Sequence, residues 1–201
     1  MILMVIFIGA AAGVILNTII GMVTRRRGLE AAWGQRYIKA VVICTSALLI
    51  TISFLRFGFQ ITFLKASALD CILIVISTID IEFSLIPDEL TVGALAAGIL
   101  LLSVGDITVI DAAAGMAAGG IILLMLALIP GAMGGGDVKI MAVLGLFLGL
   151  GRVIPALLLA FITSGIVSIP LLIFKLKGRR DHIPFGPFLI LGSFISYHFL
   201  K

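Results

Sequence analysis

Long apolar runs alternate with short polar or glycine-bearing breaks along the whole chain. A helix needs about 20 mostly apolar residues to cross a bilayer, and the run from Met1 to Val23 supplies them ahead of Arg25, Arg26 and Arg27. Further runs at about 38–56, 62–80, 89–104, 107–130, 138–151, 153–174 and 185–200 predict an all-α, polytopic membrane protein of about eight transmembrane helices. The breaks between them are built from Pro87–Asp88, Gly105–Asp106, Gly131 to Gly136, Gly151–Arg152 and Lys177 to Arg180, residue types that end helices or turn the chain. Basic residues follow the first run instead of preceding it, the reverse of a secretory leader, so this run is expected to remain as a span. No fixed period recurs and no linker is long enough to separate domains. One integral-membrane domain, 1–201, is the expectation.

Composition agrees with this pattern. Of 201 residues 62% are hydrophobic and 12% charged, against about 25% charged in an ordinary soluble domain. So few charges cannot cover a soluble globule, and so much apolar surface excludes a disordered chain. Cys44 and Cys71 each lie inside an apolar run, so neither a disulfide framework nor a metal site is expected. The 14 basic residues divide unevenly about eight spans. Arg25, Arg26, Arg27, Arg36, Lys39, Lys139, Lys175, Lys177, Arg179 and Arg180 fall on one side, and Arg56, Lys65, Arg152 and Lys201 on the other. The richer side is the cytoplasmic one, which places both termini outside. The net charge of +4 is thus a topology signal. The lipid bilayer is an expected partner and nucleic acid is not.

With only ten acidic residues, each can be weighed separately. Glu30 and Asp181 lie in basic loops, and Asp106 and Asp111 are placed to cap the fifth span. Two clusters remain, Asp80-Ile81-Glu82-Phe83-Ser84-Leu85-Ile86-Pro87-Asp88-Glu89-Leu90-Thr91 and Gly134-Gly135-Gly136-Asp137-Val138-Lys139. Asp80 closes one apolar run and Asp137 opens another, so helices of opposite direction would set both carboxylates at one depth near the inner boundary. Asp137 also reads as an N-cap with Lys139 as a topology anchor, Asp88 as a cap or first-turn acid, and Glu82 as a solvated interfacial group. Asp80 resists such a reading, because a helix C-terminus disfavours an anion. Acids within a membrane are expensive and are functional candidates by default. Two close carboxylates share one proton, so one can take a proton from water while the other polarises a peptide carbonyl. That is aspartic-protease chemistry, which needs no cofactor, and three glycines would let an extended substrate approach.

Together the clusters resemble the type IV prepilin peptidase family, whose Gly-x-Gly-Asp motif is shared with the preflagellin peptidases. The family's first aspartate is followed by a hydrophobic-Pro-Asp-x-Leu-Thr segment, here Asp80 and then Ile86 to Thr91; its second motif is Gly134, Gly136, Asp137 and Lys139. Gly13-Val14-Ile15-Leu16-Asn17 resembles the family's first-helix signature, and Ile183-Pro184-Phe185-Gly186-Pro187-Phe188 its last-helix segment. The resemblance implies an aspartic endopeptidase with Asp80 and Asp137 as catalytic pair, and Gly134, Gly136, Lys139, Pro87 and Asp88 around them. It implies prepilin or pseudopilin precursors as substrates, cut after a short basic leader at the cytoplasmic face of the inner membrane, in type IV pilus assembly or protein secretion. Many bacterial members also methylate the new N-terminus from S-adenosylmethionine, and carry a large loop with two Cys-x-x-Cys pairs after the first span. The segment from Thr24 to about Tyr37 has no cysteine, which removes tetrathiolate zinc. S-adenosylmethionine is then a cofactor only if methyl transfer is retained.

A small transporter or cation channel could line an ion path with the same acids, but would carry repeats with matching helix interruptions. The Pro-Asp and triple-glycine breaks differ in chemistry. Asp70, near the middle of the 62–80 run, has two readings. Either its helix starts later and extends past Asp80, which is the simpler account, or Asp70 is a buried partner for a polar group on another helix. His182 and His198 lie too far apart to argue for a metal site, and Trp33 and Tyr37 read as interfacial anchors.

Overall fold

A computed structural model describes residues 1–29, 36–104, 107–129, 133–174 and 184–200. Among these residues the chain forms eight helices and no strand: α1 (Ile2–Arg26), α2 (Arg36–Phe57), α3 (Ile61–Phe83), α4 (Asp88–Leu100), α5 (Val109–Ala127), α6 (Gly135–Leu148), α7 (Leu150–Ile173) and α8 (Gly186–Phe199). Each lies on one of the expected runs. Helices α1, α2, α3, α5 and α7 are long and apolar enough to cross a membrane, and the protein is a multi-pass membrane protein. The helices group into two compact units, Met1–Glu82 with α1 to α3 and Phe83–Lys201 with α4 to α8.

In the first unit small residues bring α1 and α2 together, the usual solution where lipid supplies no hydrophobic drive between helices. A Cβ on Gly9 would stand 2.7 Å from Ala47 Cα, and one on Gly13 would stand 2.7 Å from Ile43 Cα. Ser46 Oγ donates to Gly9 O at 2.8 Å across this seam, and Asn17 Nδ2 donates to Lys39 O at 3.1 Å. Val5, Ile50 and Phe54 form a core against which Ala12, Phe63 and Cys71 pack.

Helix α3 settles the reading of Asp70. It begins at Ile61, close to the expected start, and Asp70 lies in its middle, fully buried, with Ser53 Oγ of α2 donating to its carboxylate. The simpler account, a late helix start, is corrected: Asp70 is a buried partner for a hydroxyl on a neighbouring helix. Removing one member of a buried hydrogen bond costs about 1–3 kcal/mol. Ser53→Ala is therefore expected to destabilise by that amount in thermal unfolding in detergent, and Ser53→Thr, which keeps the hydroxyl, by clearly less.

In the second unit α6 is the enclosed helix, touched by α4, α5, α7 and α8 and buried from Ile140 to Leu148 apart from Ala142. Its 14 residues span about 21 Å at 1.5 Å per residue, short of the roughly 30 Å hydrocarbon layer. Gly115 and Gly145 face one another across α5 and α6, and a Cβ on Gly119 would stand 2.8 Å from Met141 O. Asp111 acts differently from the expected cap of α5. Thr108 caps α5, accepting from Asp111 N–H at 3.1 Å, while Asp111 Oδ1 accepts from Leu150 N–H at 3.1 Å and so caps α7. Phe185 stacks on Phe161 at 5.2 Å, so the last-helix segment docks the start of α8 on α7. Glu30, Trp33, Asp106, Asp181, His182 and Ile183 lie outside the described residues.

Candidate active site

Asp80 is set by the periodicity of α3. Ala66, Leu69, Leu73, Ile76 and Asp80 follow one another at steps of three and four, and all are buried, the stripe that a helix turns to its packing partners. A carboxylate thus occupies the next position of an otherwise apolar stripe. It lies in the last turn of α3, which carries no basic residue. Three residues on, Phe83 ends the helix, and Ser84 takes a positive φ of 50° as the chain leaves it.

The segment after that turn belongs to the second unit and packs on the start of α6. Ile86 and Pro87 are buried. Pro87 is the N-cap of α4, with its carbonyl accepting from Leu90 N–H at 3.1 Å and Thr91 N–H at 3.3 Å. Pro87 suits this place because it has no N–H to leave unpaired. Asp88 and Glu89 then stand in the first turn, where the helix dipole favours acids.

Helix α6 starts one turn earlier than its sequence implies. Gly134 is the N-cap, with extended backbone, and Gly135 and Gly136 are already helical. Asp137 is therefore the third helical residue, buried, and its N–H donates to Gly134 O at 3.2 Å. Its alternative reading as the cap itself is corrected. A Cβ on Gly134 would lie 3.4 Å from Asp137 Oδ2, so a bare backbone flanks the carboxylate. A Cβ on Gly136 would lie 3.1 Å from Ile86 Cβ, and Gly135 has nothing within 4 Å of that position.

Two links therefore join the motifs inside the second unit: Ile86 seated on Gly136, and Lys139 Nζ paired with Asp88 Oδ1 at 2.8 Å. The ion pair was not apparent from the sequence, where Asp88 read as a cap and Lys139 as an anchor. The signal for it was there: opposite charges in two motifs of a chain with few charges. Both side chains are more than half exposed, so the pair contributes about 0–1 kcal/mol. The pair links the start of α4 to the start of α6. Lys139→Met is expected to lower activity several-fold, and the exchange Asp88→Lys with Lys139→Asp to recover most of it in a prepilin cleavage assay. A catalytic lysine would show no such recovery.

Among the described residues no three His, Cys, Asp or Glu side chains converge as metal ligands. His198 is buried in α8, its Nδ1 3.0 Å from Phe194 O.

Comparison with known proteins adds the lineage. Residues 67–169, which include both aspartates, match the model of the type IV leader peptidase family. The chain belongs to that family. Its relatives include the prepilin leader peptidase/N-methyltransferase of Aeromonas salmonicida, 33% identical over 180 residues, which covers 86% of this chain and 61% of the relative. The proteins of the same name from Legionella pneumophila and Bacillus subtilis are 34% and 28% identical over 148 residues, covering 52% and 58% of those proteins. This leader peptidase family member thus spans between about half and three-fifths of the length of these relatives. No solved structure matches the chain.

Proposed function

We propose that the chain is an intramembrane aspartic endopeptidase that removes the basic leader from type IV prepilins or pseudopilins, with Asp80 and Asp137 as its catalytic pair. The observation that carries this reading is the pair of links, Ile86 on Gly136 and Asp88 to Lys139, that fastens the segment following Asp80 to the helix start bearing Asp137. Ile86 lies six positions after Asp80, a tether of at most about 20 Å. Both acids are buried, and both lie at helix ends where backbone polar groups are unsatisfied. The chain acts as one peptidase domain in this reading. Its site faces the cytoplasm, on the side rich in lysine and arginine, in the inner membrane.

The chemistry follows from two carboxyl groups sharing a proton. The ionised member accepts a proton from a water, whose oxygen adds to the scissile carbonyl carbon, while the protonated member donates to the carbonyl oxygen. Collapse of the tetrahedral adduct breaks the C–N bond, with a proton passing to the leaving amine. Gly134, with no side chain beside Asp137 Oδ2, leaves room for an extended backbone at that acid. Because α6 is shorter than the hydrocarbon layer, Asp137 is recessed from one interface when the far end of α6 reaches the other. A leader drawn to that depth meets the acid out of bulk water.

Methyl transfer from S-adenosylmethionine is the second activity that the relatives' names carry. The donor has net positive charge, with a sulfonium and an ammonium against one carboxylate. Among the described residues the cavity between α1 and α2 is lined by Arg25 and Lys39 and by no acid, a lining that does not fit that cofactor.

A transporter reading has no comparable support, because the two motifs are tied to each other by packing and charge. The test is direct. Membranes holding the wild type or an Asp80→Asn or Asp137→Asn variant are incubated with a prepilin, and product mass reports cleavage and any added methyl group.

A further inference from the structure

The cavity between α1 and α2 is about 660 Å³ and its described lining residues all belong to the first unit; the volume is inside the roughly 300–1,000 Å³ range of small-molecule sites. Its α1 wall runs from Val14 to Arg25, about 16 Å along the helix, and α2 contributes Lys39 and Ile43. The hydrogen bond from Asn17 Nδ2 to Lys39 O ties the two walls together. Val14, Met22 and Ile43 make an apolar body, while Arg25 and Lys39 supply two exposed cations. From Arg25 to Lys39 the sequence holds five cations and one acid.

We propose that this cavity binds an anionic phospholipid, with the phosphodiester at Arg25 and Lys39 and the upper acyl chain against Val14, Met22 and Ile43. The cations select an anion. The apolar body selects an amphiphile, because a free phosphate would leave those walls unfilled. Val14 and Met22 are each 55% exposed on the outer surface of α1, which gives lipid a lateral way in. Placing the basic end at the cytoplasmic side sets the cavity beside the leaflet whose anionic lipids attract juxtamembrane lysine and arginine.

The test uses the full chain purified in detergent and native mass spectrometry with phosphatidylglycerol, phosphatidylcholine and, as the soluble headgroup, sn-glycerol 3-phosphate. One phosphatidylglycerol is expected to be retained, and glycerol phosphate neither retained nor able to displace it. Arg25→Gln with Lys39→Gln should weaken retention by roughly tenfold or more, and Met22→Trp, which fills the body without changing charge, should weaken it too. Arg36→Gln removes a cation outside the cavity, on an exposed first-turn residue of α2, and should leave retention nearly unchanged. Equal loss in Arg36→Gln would mean diffuse charge attraction only and overturns the site. Equal retention of phosphatidylcholine, or displacement by glycerol phosphate, overturns it as well. Retention of S-adenosylmethionine in competition with the lipid would do the same. None of these outcomes depends on peptidase activity.

Discussion

Asp80→Asn and Asp137→Asn are each expected to abolish leader cleavage while the protein remains folded in the membrane. Asparagine keeps the size and one acceptor oxygen of each side chain, so packing in α3 and at the start of α6 is preserved. What it removes is the ionisable group that the proposed mechanism needs at each position. With one carboxylate gone, no group both takes a proton from water and returns it to the leaving amine, and loss of positioned acid–base catalysis lowers rates on the order of 10²–10⁴-fold. Two acids that act as a unit, as proposed for this pair, predict a double variant little worse than either single one. Cleavage rates with a purified prepilin, together with unfolding temperatures of the variants, make the comparison. Substantial cleavage by either variant would falsify the assignment of the pair.

The order of the helices was legible because apolar runs and breaks in a membrane chain are unambiguous. The ends of α6 were not. A run of three glycines reads as a loop, yet Gly135 and Gly136 are helical and only Gly134 has extended backbone. Glycine is permissive enough that sequence does not say on which side of it the helix begins. The enclosure of α6 by four other helices was equally hidden, since α6 is as apolar as the lipid-facing helices and only packing separates them.

The acids show the same division. Asp80 and Asp137 stood out by scarcity and by position. The pairing of Asp88 with Lys139 spans 51 residues with no periodic relation between them, so only their opposite charges in a charge-poor chain point to it. For Asp70 the sequence favours the simpler of two readings because Ser53 lies on another helix, 17 residues away. For Asp70 and Asp88 the local pattern identified an unusual residue, and tertiary contact supplied its partner.

Gly135→Ala and Gly136→Ala, neighbours in the same first turn, are expected to have opposite effects. At Gly135 a methyl group meets nothing within 4 Å, and alanine in a helix is favoured over glycine by roughly 0.5–1 kcal/mol. At Gly136 the methyl would sit 3.1 Å from Ile86 Cβ, with Ile86 Cγ1 at 3.5 Å and Cδ1 at 3.6 Å. Cβ is fixed to the backbone and cannot rotate away, so either α6 or the 83–88 segment has to shift, a crowding that costs about 1–3 kcal/mol. The shift falls on the contact that holds the Pro-Asp segment against the start of α6, so activity should fall further than stability. Gly136→Val, with two more methyl groups, should leave folded protein with little cleavage. Unfolding temperatures and cleavage rates of the three variants, measured side by side, decide the matter. Equal behaviour of Gly135→Ala and Gly136→Ala would mean that Ile86 does not seat on Gly136, and the link between the two motifs would be lost.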